Sequence, residues 1–354
     1  MHWHIRPSVH LRSTQSLVGL PLTHSHSLLL FSPTSTKAIH IPTYTPDPST
    51  LQPSYIPTPN PKADELLIRI THCSPQHADI LHAQGKHQNN NAKKGWCFPP
   101  FTLGYDFAGV VHTLPPSGAA GVAGGLKKGD RVFGAAIGAF AEFVCVKKGA
   151  LRKVPDGLSN ETACAMVGQA VSYASVVRIA KVQPGETVMV SGASGGLGGV
   201  CCMVAKACGA RVVALVGDEG KAALMRESLG VDAVVVMREG GGGGCLAYFG
   251  RIVILGFAAR KGVMEEVKMN KLLLKSATVV GYRFGESGRR FPKELEEIWD
   301  GYLGMMQEGR LKPLLDGRYD GLENVGRALG DLAARKVYGK IVVKVADEEE
   351  TAKL

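Results

Sequence analysis

The sequence lacks three features that would point to particular classes of protein. Its eight cysteines include no CxxC pair and fall mostly in apolar runs, where cysteine behaves as a small hydrophobic side chain. No apolar run approaches the roughly 20 residues that a membrane-spanning helix needs. The formal net charge is +10, but the basic residues form no stripe with interleaved aromatic side chains. We therefore expect a soluble protein of a reducing compartment that binds neither nucleic acid nor membrane.

Acidic residues are also absent before Asp47. Residues 1–36 are rich in Ser, Thr and His and carry Arg6 and Arg12, a composition typical of a mitochondrial transit peptide. The same composition fits an untranslated stretch included in the chain, because Lys37 is a natural start for the first strand. Both interpretations predict that residues 1–36 are disordered and outside the fold. The predicted location is accordingly cytoplasmic or mitochondrial.

The chain has 354 residues, of which 45% are hydrophobic, and this is enough for two domains. Residues 37–160 contain short apolar segments separated by Pro and Gly, which predicts a β-rich module with a proline-rich connector at 42–61. From Ser159, a predicted helix cap, helices and strands alternate. The strands of the first module are predicted at Lys37–Ile41, Glu65–His72, Tyr105–Thr113, Asp130–Phe133 and Ala141–Val146.

The second half of the chain is predicted to be of the parallel α/β type, with helices at 173–180 and 293–309. The segment Ile341–Val345 is predicted to return as a closing strand to the first module. The other strands are predicted at Thr187–Ser191, Arg211–Val216, Ala233–Met237, Arg251–Gly256 and Thr278–Arg283.

A glycine-rich turn follows the strand Thr187–Ser191 and leads into a helix. Gly192, Gly195 and Gly198 lack the side chains that would keep a pyrophosphate away from the backbone. Such a triplet also occurs at ordinary strand-turn-helix corners. The β-branched strand Arg211–Val216 follows at the spacing of a βαβ unit and favours a dinucleotide site.

The end of this second strand bears on the choice between NADH and NADPH. An NAD site places an acid there for the ribose 2′-OH, whereas an NADP site replaces it with a cation for the 2′-phosphate. Here the strand ends at Gly217, and Lys221 follows in the first turn of the next helix, which favours NADPH. Asp218 would repel a phosphate if it pointed inward, and Lys221 can also be an ordinary solvated lysine.

Several motifs occur in the order found in one known family. The chain resembles the quinone oxidoreductase branch, similar to zeta-crystallin, of the zinc-independent medium-chain dehydrogenase/reductase superfamily, and the resemblance covers Lys37 to Val345. The motifs are Leu103–Val111, Lys128–Phe133, Pro184–Val188, the glycine turn, Gly250–Phe257, Leu272–Lys275, Val280–Tyr282 and Gly339–Lys340.

The resemblance implies an α/β protein with two domains. Residues 37–160, completed by 286–346, would form a GroES-like β-rich catalytic domain. Residues 161–285 would form a Rossmann-type parallel-sheet domain for NADPH. Residues 347–354 would form an acidic tail.

The same resemblance implies a zinc-free site. The zinc-dependent relatives have Gly-His-Glu where this chain has Gly104, Tyr105 and Asp106, and a tyrosine does not replace an imidazole ligand at neutral pH without large cost. We therefore expect no metal and interpret Asp106 as a structural residue. Catalysis would rest on hydride transfer from the nicotinamide to a carbonyl compound held in the cleft.

The substrate-pocket motif of the family, Asn-Phe-x-Asp, corresponds here to Gln76, His77, Ala78 and Asp79. Gln76 and Asp79 are the predicted pocket residues, and His77 is either a proton donor or an ordinary surface or core histidine. Val171 stands where the family often has threonine. The predicted cofactor residues are Gly192, Gly195, Gly196, Leu197, Gly198, Lys221, Leu255, Gly256, Phe257 and Lys340.

The segment between Met237 and Gly250 departs from the family. Relatives have a helix, a fourth strand and another helix here, whereas this chain has only a short link with five glycines at 240–244. The Rossmann domain is therefore expected to lack one central strand and its helices. Two hypotheses follow: the strand at 251–256 slides beside the first strand and the cofactor still binds, or the product folds poorly and is catalytically impaired.

The implied function is an NADPH-dependent reductase of quinones or α,β-unsaturated carbonyls. The alternatives are an enoyl-thioester reductase of the same superfamily and a non-catalytic NADPH-binding or structural protein. The resemblance also implies a homodimer formed through the strand at 278–284.

Overall fold

In a computed structural model of the chain, the described residues are 34–90, 97–115, 125–237, 245–256 and 267–347. All of them belong to one compact unit, Pro33–Leu354.

The first module is built on a seven-stranded sheet. Its strand order is β15–β16–β4–β6–β7–β9, and β8 pairs with β4 beside that path. The closing strand β16 is antiparallel to β4, so the predicted return of the chain to the first module is confirmed. The strands are β4 (Glu65–Ser74), β6 (Asp106–Thr113), β7 (Arg131–Ala135), β8 (Phe143–Lys147), β9 (Leu151–Lys153), β15 (Leu315–Asp320) and β16 (Lys340–Lys344).

Two pairs of short strands accompany this sheet. β1 (Ser35–Ala38) is antiparallel to β3 (Ser54–Pro57), and β2 (His40–Ile41) is antiparallel to β5 (Phe101–Thr102). Ser35 and Thr36 were expected to lie outside the fold, and this expectation is wrong. Thr36 is fully buried and pairs with Ile56 of β3, a strand that the proline-rich composition of the connector concealed. Residues 1–33 lie outside the described part.

The core of the first module consists of strand residues that face inward from β4, β6 and β16. Leu66, Ile68 and Ile70 of β4 are fully buried and pack with Phe107 and Val343. Removing these side chains from water stabilises the sheet on which the candidate site is built.

The second module begins with the predicted βαβαβ arrangement. β10 (Thr187–Ser191), β11 (Arg211–Val216) and β12 (Ala233–Val236) form a parallel three-stranded sheet in that order. Helix α4 (Gly196–Ala207) connects the first two strands, and α5 (Glu219–Leu229) connects the next two. Seven of the twelve residues of α4 are buried, which fits a helix packed on the sheet.

The parallel sheet is interrupted after β12. β13 (Arg251–Ile254) and β14 (Thr278–Gly281) form a separate parallel pair, and β13 is not paired with β10. An ion pair of 2.5 Å joins Arg251 of β13 to Glu186, the residue before β10. The proposed sliding of β13 beside β10 is therefore not observed, and residues 238–244 of the connection lie outside the described part.

Helices of both modules surround the sheets. α8 packs in the core that also contains the β10–β12 sheet, and the rings of Trp299 and Phe133 of β7 meet there at 5.7 Å. The remaining helices are α1 (His77–Ala83), α2 (Asn160–Met166), α3 (Ala170–Ala174), α6 (Met269–Lys275), α7 (Phe284–Arg290), α8 (Pro292–Gln307) and α9 (Val325–Ala333).

None of the helices in the described part of the chain has the length and apolar character needed to span a membrane.

Candidate functional site

The glycine turn forms the N-terminal end of α4. Gly192 has φ of 64°, a backbone conformation that side chains disfavour, and its carbonyl accepts a 3.0 Å hydrogen bond from the N–H of Gly195. Gly195 is the residue that caps α4, and no side chain caps the helix there. The first N–H groups of the helix, from Gly196, Leu197 and Gly198, are left for an external anion.

The fit of a phosphate to this end depends on small residues. A Cβ atom on Gly198 would overlap the carbonyl oxygen of Gly192, so the turn is compatible only with glycine at this position. A Cβ on Gly196 would lie 3.2 Å from the carbonyl oxygen of Gly339. Both glycines therefore permit a close backbone approach, as dinucleotide binding requires.

The segment before β16 lies directly on the glycine turn. The N–H of Gly339 donates a 2.8 Å hydrogen bond to the carbonyl of Ser194, and Gly195 and Gly339 form a parallel bridge. A Cβ on Gly196 would be 3.3 Å from Cδ of Lys340. Lys340, predicted as a cofactor residue, is thus brought to the turn from the far end of the sequence.

The Lys340 ammonium pairs with Asp106 of β6. Its Nζ lies 2.8 Å from Oδ2 of Asp106, and the two side chains are 10% and 4% exposed. Oδ1 of Asp106 accepts a 3.3 Å hydrogen bond from Nε2 of Gln76. One buried carboxylate therefore contacts a predicted cofactor residue and a predicted pocket residue at the same time.

Asp79 lies next to this pair, at the start of α1. Its Oδ2 accepts a 2.9 Å hydrogen bond from the backbone N–H of Gln76, and its fully buried Oδ1 has no partner in the described part of the chain. Burial raises the pKa of Asp79 to about 8, and the negative charge of Asp106 adds to the increase. Its surroundings therefore favour the protonated, uncharged form of this carboxyl group.

Aromatic rings form a wall beside these polar groups. The rings of Tyr105 and His82 stack at 5.3 Å, and the ring of His87 lies 3.9 Å from that of His82. Burial lowers the pKa of His82 to about 4, so this ring is neutral near pH 7. His77, the possible proton donor of the sequence analysis, is instead exposed at the first residue of α1.

Lys221 is engaged by protein groups. Its Nζ donates a 2.8 Å hydrogen bond to the carbonyl of Arg335 and lies 3.3 Å from Oδ2 of Asp218. Asp218 caps α5, because its Oδ1 accepts from the N–H of Lys221 at 2.9 Å. The Asp218 carboxylate is therefore directed to its own helix, and a bound phosphate would compete with the carbonyl of Arg335 for Lys221.

The remaining predicted cofactor residues follow β13. Leu255 is half-buried against the core that contains the β10–β12 sheet, and Gly256 is exposed. A Cβ on Gly256 would meet no atom of the described residues within 4 Å. Phe257 lies outside the described residues.

Three polar residues behind the glycine turn were not found from the sequence. Nε2 of Gln169 donates to the carbonyl of Gly196 at 3.3 Å, and the hydroxyl of Tyr302 donates to Oε1 of Gln169 at 3.0 Å. The hydroxyl of Ser172 donates to the carbonyl of Leu197 at 2.9 Å. These bonds fix the first turn of α4. Gln169 and Tyr302 are 133 residues apart, and no local pattern links them.

Within the described residues, no group of three His, Cys, Asp or Glu side chains is placed to hold a metal ion.

A family model for the alcohol dehydrogenase GroES-like domain matches residues 62–156. Quinone oxidoreductase-like protein 2 homolog of Nematostella vectensis is 29% identical over 317 residues, which is 81% of this chain and 83% of that protein.

Solved structures agree with this relationship over both modules. A probable oxidoreductase from Mycobacterium abscessus has a TM-score of 0.74 and 28% identity, covering 88% of this chain and 100% of that one. A mycobacterial protein complexed with NADPH has a TM-score of 0.73 and 25% identity, covering 87% and 99%. The predicted fold class is confirmed. Over most of its length the chain is similar to quinone oxidoreductase-like proteins, and this similarity supports the resemblance to the medium-chain dehydrogenase/reductase superfamily seen in the sequence.

Proposed function

We propose that the protein is an NADPH-dependent reductase that delivers a hydride to quinones or α,β-unsaturated carbonyls. The observation that carries this proposal is the uncapped start of α4 at Gly195, behind a turn that only glycine at position 198 allows. The N–H groups of that turn and the local helix dipole favour a pyrophosphate.

NADPH is the proposed cofactor because the cation Lys221 follows β11, where the adenosine end of a dinucleotide would lie. Lys221 and the backbone turn at Arg335 meet after β11, and the Asp218 carboxylate is held by its own helix. The mycobacterial neighbour complexed with NADPH supports the same choice. When bound, NADPH supplies the hydride.

The chain's own groups would hold and orient the reactants. Gly195 to Gly198 would receive the pyrophosphate, Lys340 and the backbone of Leu255 and Gly256 would lie near the nicotinamide, and Gln76 would face the substrate. The aromatic wall excludes water from one side of this site, and exclusion of water strengthens the fixed dipoles within it. We propose that zinc takes no part, since Tyr105 stands at the place of the expected histidine ligand.

The proposed assembly is a homodimer formed through β14 and its neighbouring residues. Leu273 and Leu274 of α6 are 80% and 73% exposed, and Val279 of β14 is also exposed. Exposed large apolar side chains on these consecutive elements support a protein contact there.

The first test is cofactor binding and turnover with matched glycine variants. Wild-type protein should show a higher melting temperature with NADPH and oxidise it with a simple quinone or an enone. Gly198→Ala should lose NADPH binding by at least about 100-fold, because the new Cβ overlaps the carbonyl of Gly192. Gly304→Ala on α8 is the control, since within the described part of the chain its Cβ would meet no atom within 4 Å.

Three outcomes would contradict the proposal in different ways. A broad melting transition unmoved by NADPH would favour the poorly folded alternative. Binding without turnover on any acceptor would favour a non-catalytic protein. Turnover restricted to acyl thioesters would favour the enoyl-thioester reductase.

A further inference from the structure

The pair formed by Lys340 and Asp106 has a position that cofactor binding alone does not explain. The backbone of Lys340 lies on the glycine turn, but its ammonium points away to β6, where Gln76 also binds Asp106. A buried ion pair is a costly way to stabilise a fold, because both charges must leave water. Its location between the two predicted sites suggests chemistry instead.

We propose that Lys340 is the proton donor that accompanies hydride delivery to an enone, and that Asp106 is the residue that positions it. This proposal rests on the proposed function and adds proton donation as a role for the Lys340 side chain. It also favours substrates with a carbonyl oxygen that gains a proton as the adjacent carbon is reduced.

The other titratable groups around the site are poorer donors. Burial lowers the pKa of His82 to about 4 and also lowers the pKa of His87, which favours the neutral form of both imidazole rings. Burial raises the pKa of Cys97 to about 11 and raises the pKa of Tyr105, and these two groups hydrogen-bond to each other. Neither group carries the positive charge that stabilises a developing oxyanion. Lys340 carries both a proton and that charge.

Charge balance around the ammonium is set by its neighbours on three elements. Asp106 of β6 contacts it directly, Asp79 of α1 acts on it through space, and the Cys164 thiol of α2 lies close by, its pKa raised by burial. With Asp79 protonated, the site holds one carboxylate and one ammonium. Ionisation of Asp79 above a pKa of about 8 adds a second negative charge to the site.

The chemical step balances without any further reactant. When bound, NADPH would supply the hydride that forms the new C–H bond at the β-carbon of the enone, and NADP⁺ would remain. The electron pair of the C=C bond shifts toward the carbonyl oxygen, an N–H bond of Lys340 breaks, and an O–H bond forms to give the enol. The enol tautomerises to the saturated ketone in water, and the lysine amine regains a proton from solvent.

The test separates the charge of the side chain from its ability to donate a proton. Lys340→Arg keeps a cation beside Asp106 but does not release a proton at accessible pH. We expect it to bind NADPH within about threefold of wild type and to reduce 2-cyclohexen-1-one at least about 100-fold more slowly in a single turnover. The solvent deuterium isotope effect of the wild-type step should disappear in this variant. Lys153→Arg on the surface, where Lys153 pairs with Asp130, is the matched control and should behave as wild type.

A second variant covers the case in which the buried pair is needed for folding. Lys340→Met combined with Asp106→Asn removes both charges, so no carboxylate is left buried alone. It should melt cooperatively and still bind NADPH, yet be as slow as Lys340→Arg. Arginine restoring the wild-type rate and isotope effect would overturn the role of Lys340 as donor. Wild-type protein that binds NADPH but reduces neither enone nor quinone would instead refute the proposed function, and the donor role with it.

Discussion

Replacing Asp79 by asparagine should change how stability depends on pH. The carboxyl group has a pKa of about 8 in the folded protein against 3.8 for the free side chain, raised chiefly by burial and next by the charge of Asp106. Because the folded pKa is the higher one, the folded state binds more protons between these values, and the free energy of unfolding falls as pH rises. Each pH unit in this window costs about 1.4 kcal/mol.

The magnitude follows from that slope. Between pH 5 and pH 8 the wild-type protein should lose on the order of 4 kcal/mol relative to Asp79→Asn, which has nothing to ionise at this position. Asparagine keeps an oxygen to accept the N–H of Gln76, so the start of α1 is preserved. The free energy of unfolding of the variant should therefore increase relative to that of the wild type as the pH rises from 5 to 8.

Urea unfolding of both proteins at several pH values between 5 and 8.5 measures this difference. Asp64→Asn, at an exposed carboxylate paired with Lys147, is the control and should leave the wild-type pH dependence in place. Parallel curves for wild type and Asp79→Asn would refute the reasoning, because they would mean that Asp79 is ionised throughout the range.

Two further predictions concern the cofactor and the assembly. Lys221→Ala should weaken NADPH binding at least about tenfold and leave the affinity for NADH unchanged. Titrations of both nucleotides, followed by nicotinamide fluorescence, measure this difference. An equal loss of affinity for both nucleotides would show that Lys221 does not bind the 2′-phosphate. Leu273→Glu should convert the dimer into a monomer in sedimentation velocity without lowering the melting temperature of the folded subunit, because this side chain is 80% exposed; a wild-type monomer would contradict the proposed contact.

Local patterns predicted the phosphate-binding part of the site well. β10 and β11 have the predicted limits, and the turn between β10 and α4 needs glycine for reasons that depend only on nearby atoms. Capping of α2 by Ser159 was also predicted, and its hydroxyl accepts from the N–H of Thr162. In each case the relevant contacts join residues close in sequence.

Long-range polar contacts could not be predicted in this way. Asp106 was interpreted as a structural residue, and its partner Lys340 is 234 positions away, so neither periodicity nor spacing relates them. The same is true of the bond between Gln169 and Tyr302. β3 was missed because its sequence, Ser54–Pro57, ends in proline, which is more typical of a connector than of a strand.

The loss of one central strand was predicted from the shortened link after Met237, but the resulting arrangement of the sheet was left open. Closing the gap would require β13 to pair with β10, and backbone geometry alone allows this pairing. The observed β13–β14 pair remains separate, and apolar side chains such as Met189 and Val279 are exposed in consequence.

The segment from Gly339 to Lys344 bears on how the protein matures during synthesis. It covers the glycine turn at one end and pairs with β4 at the other, and it follows every other described strand in the chain. β10, α4 and β11 leave the ribosome much earlier than this segment. We expect them to bind the cofactor only after the segment has been synthesised and has packed on the glycine turn. A nascent chain halted before residue 339 would then expose its phosphate-binding turn to chaperones, and abundant NADPH in the cell would rescue only completed molecules.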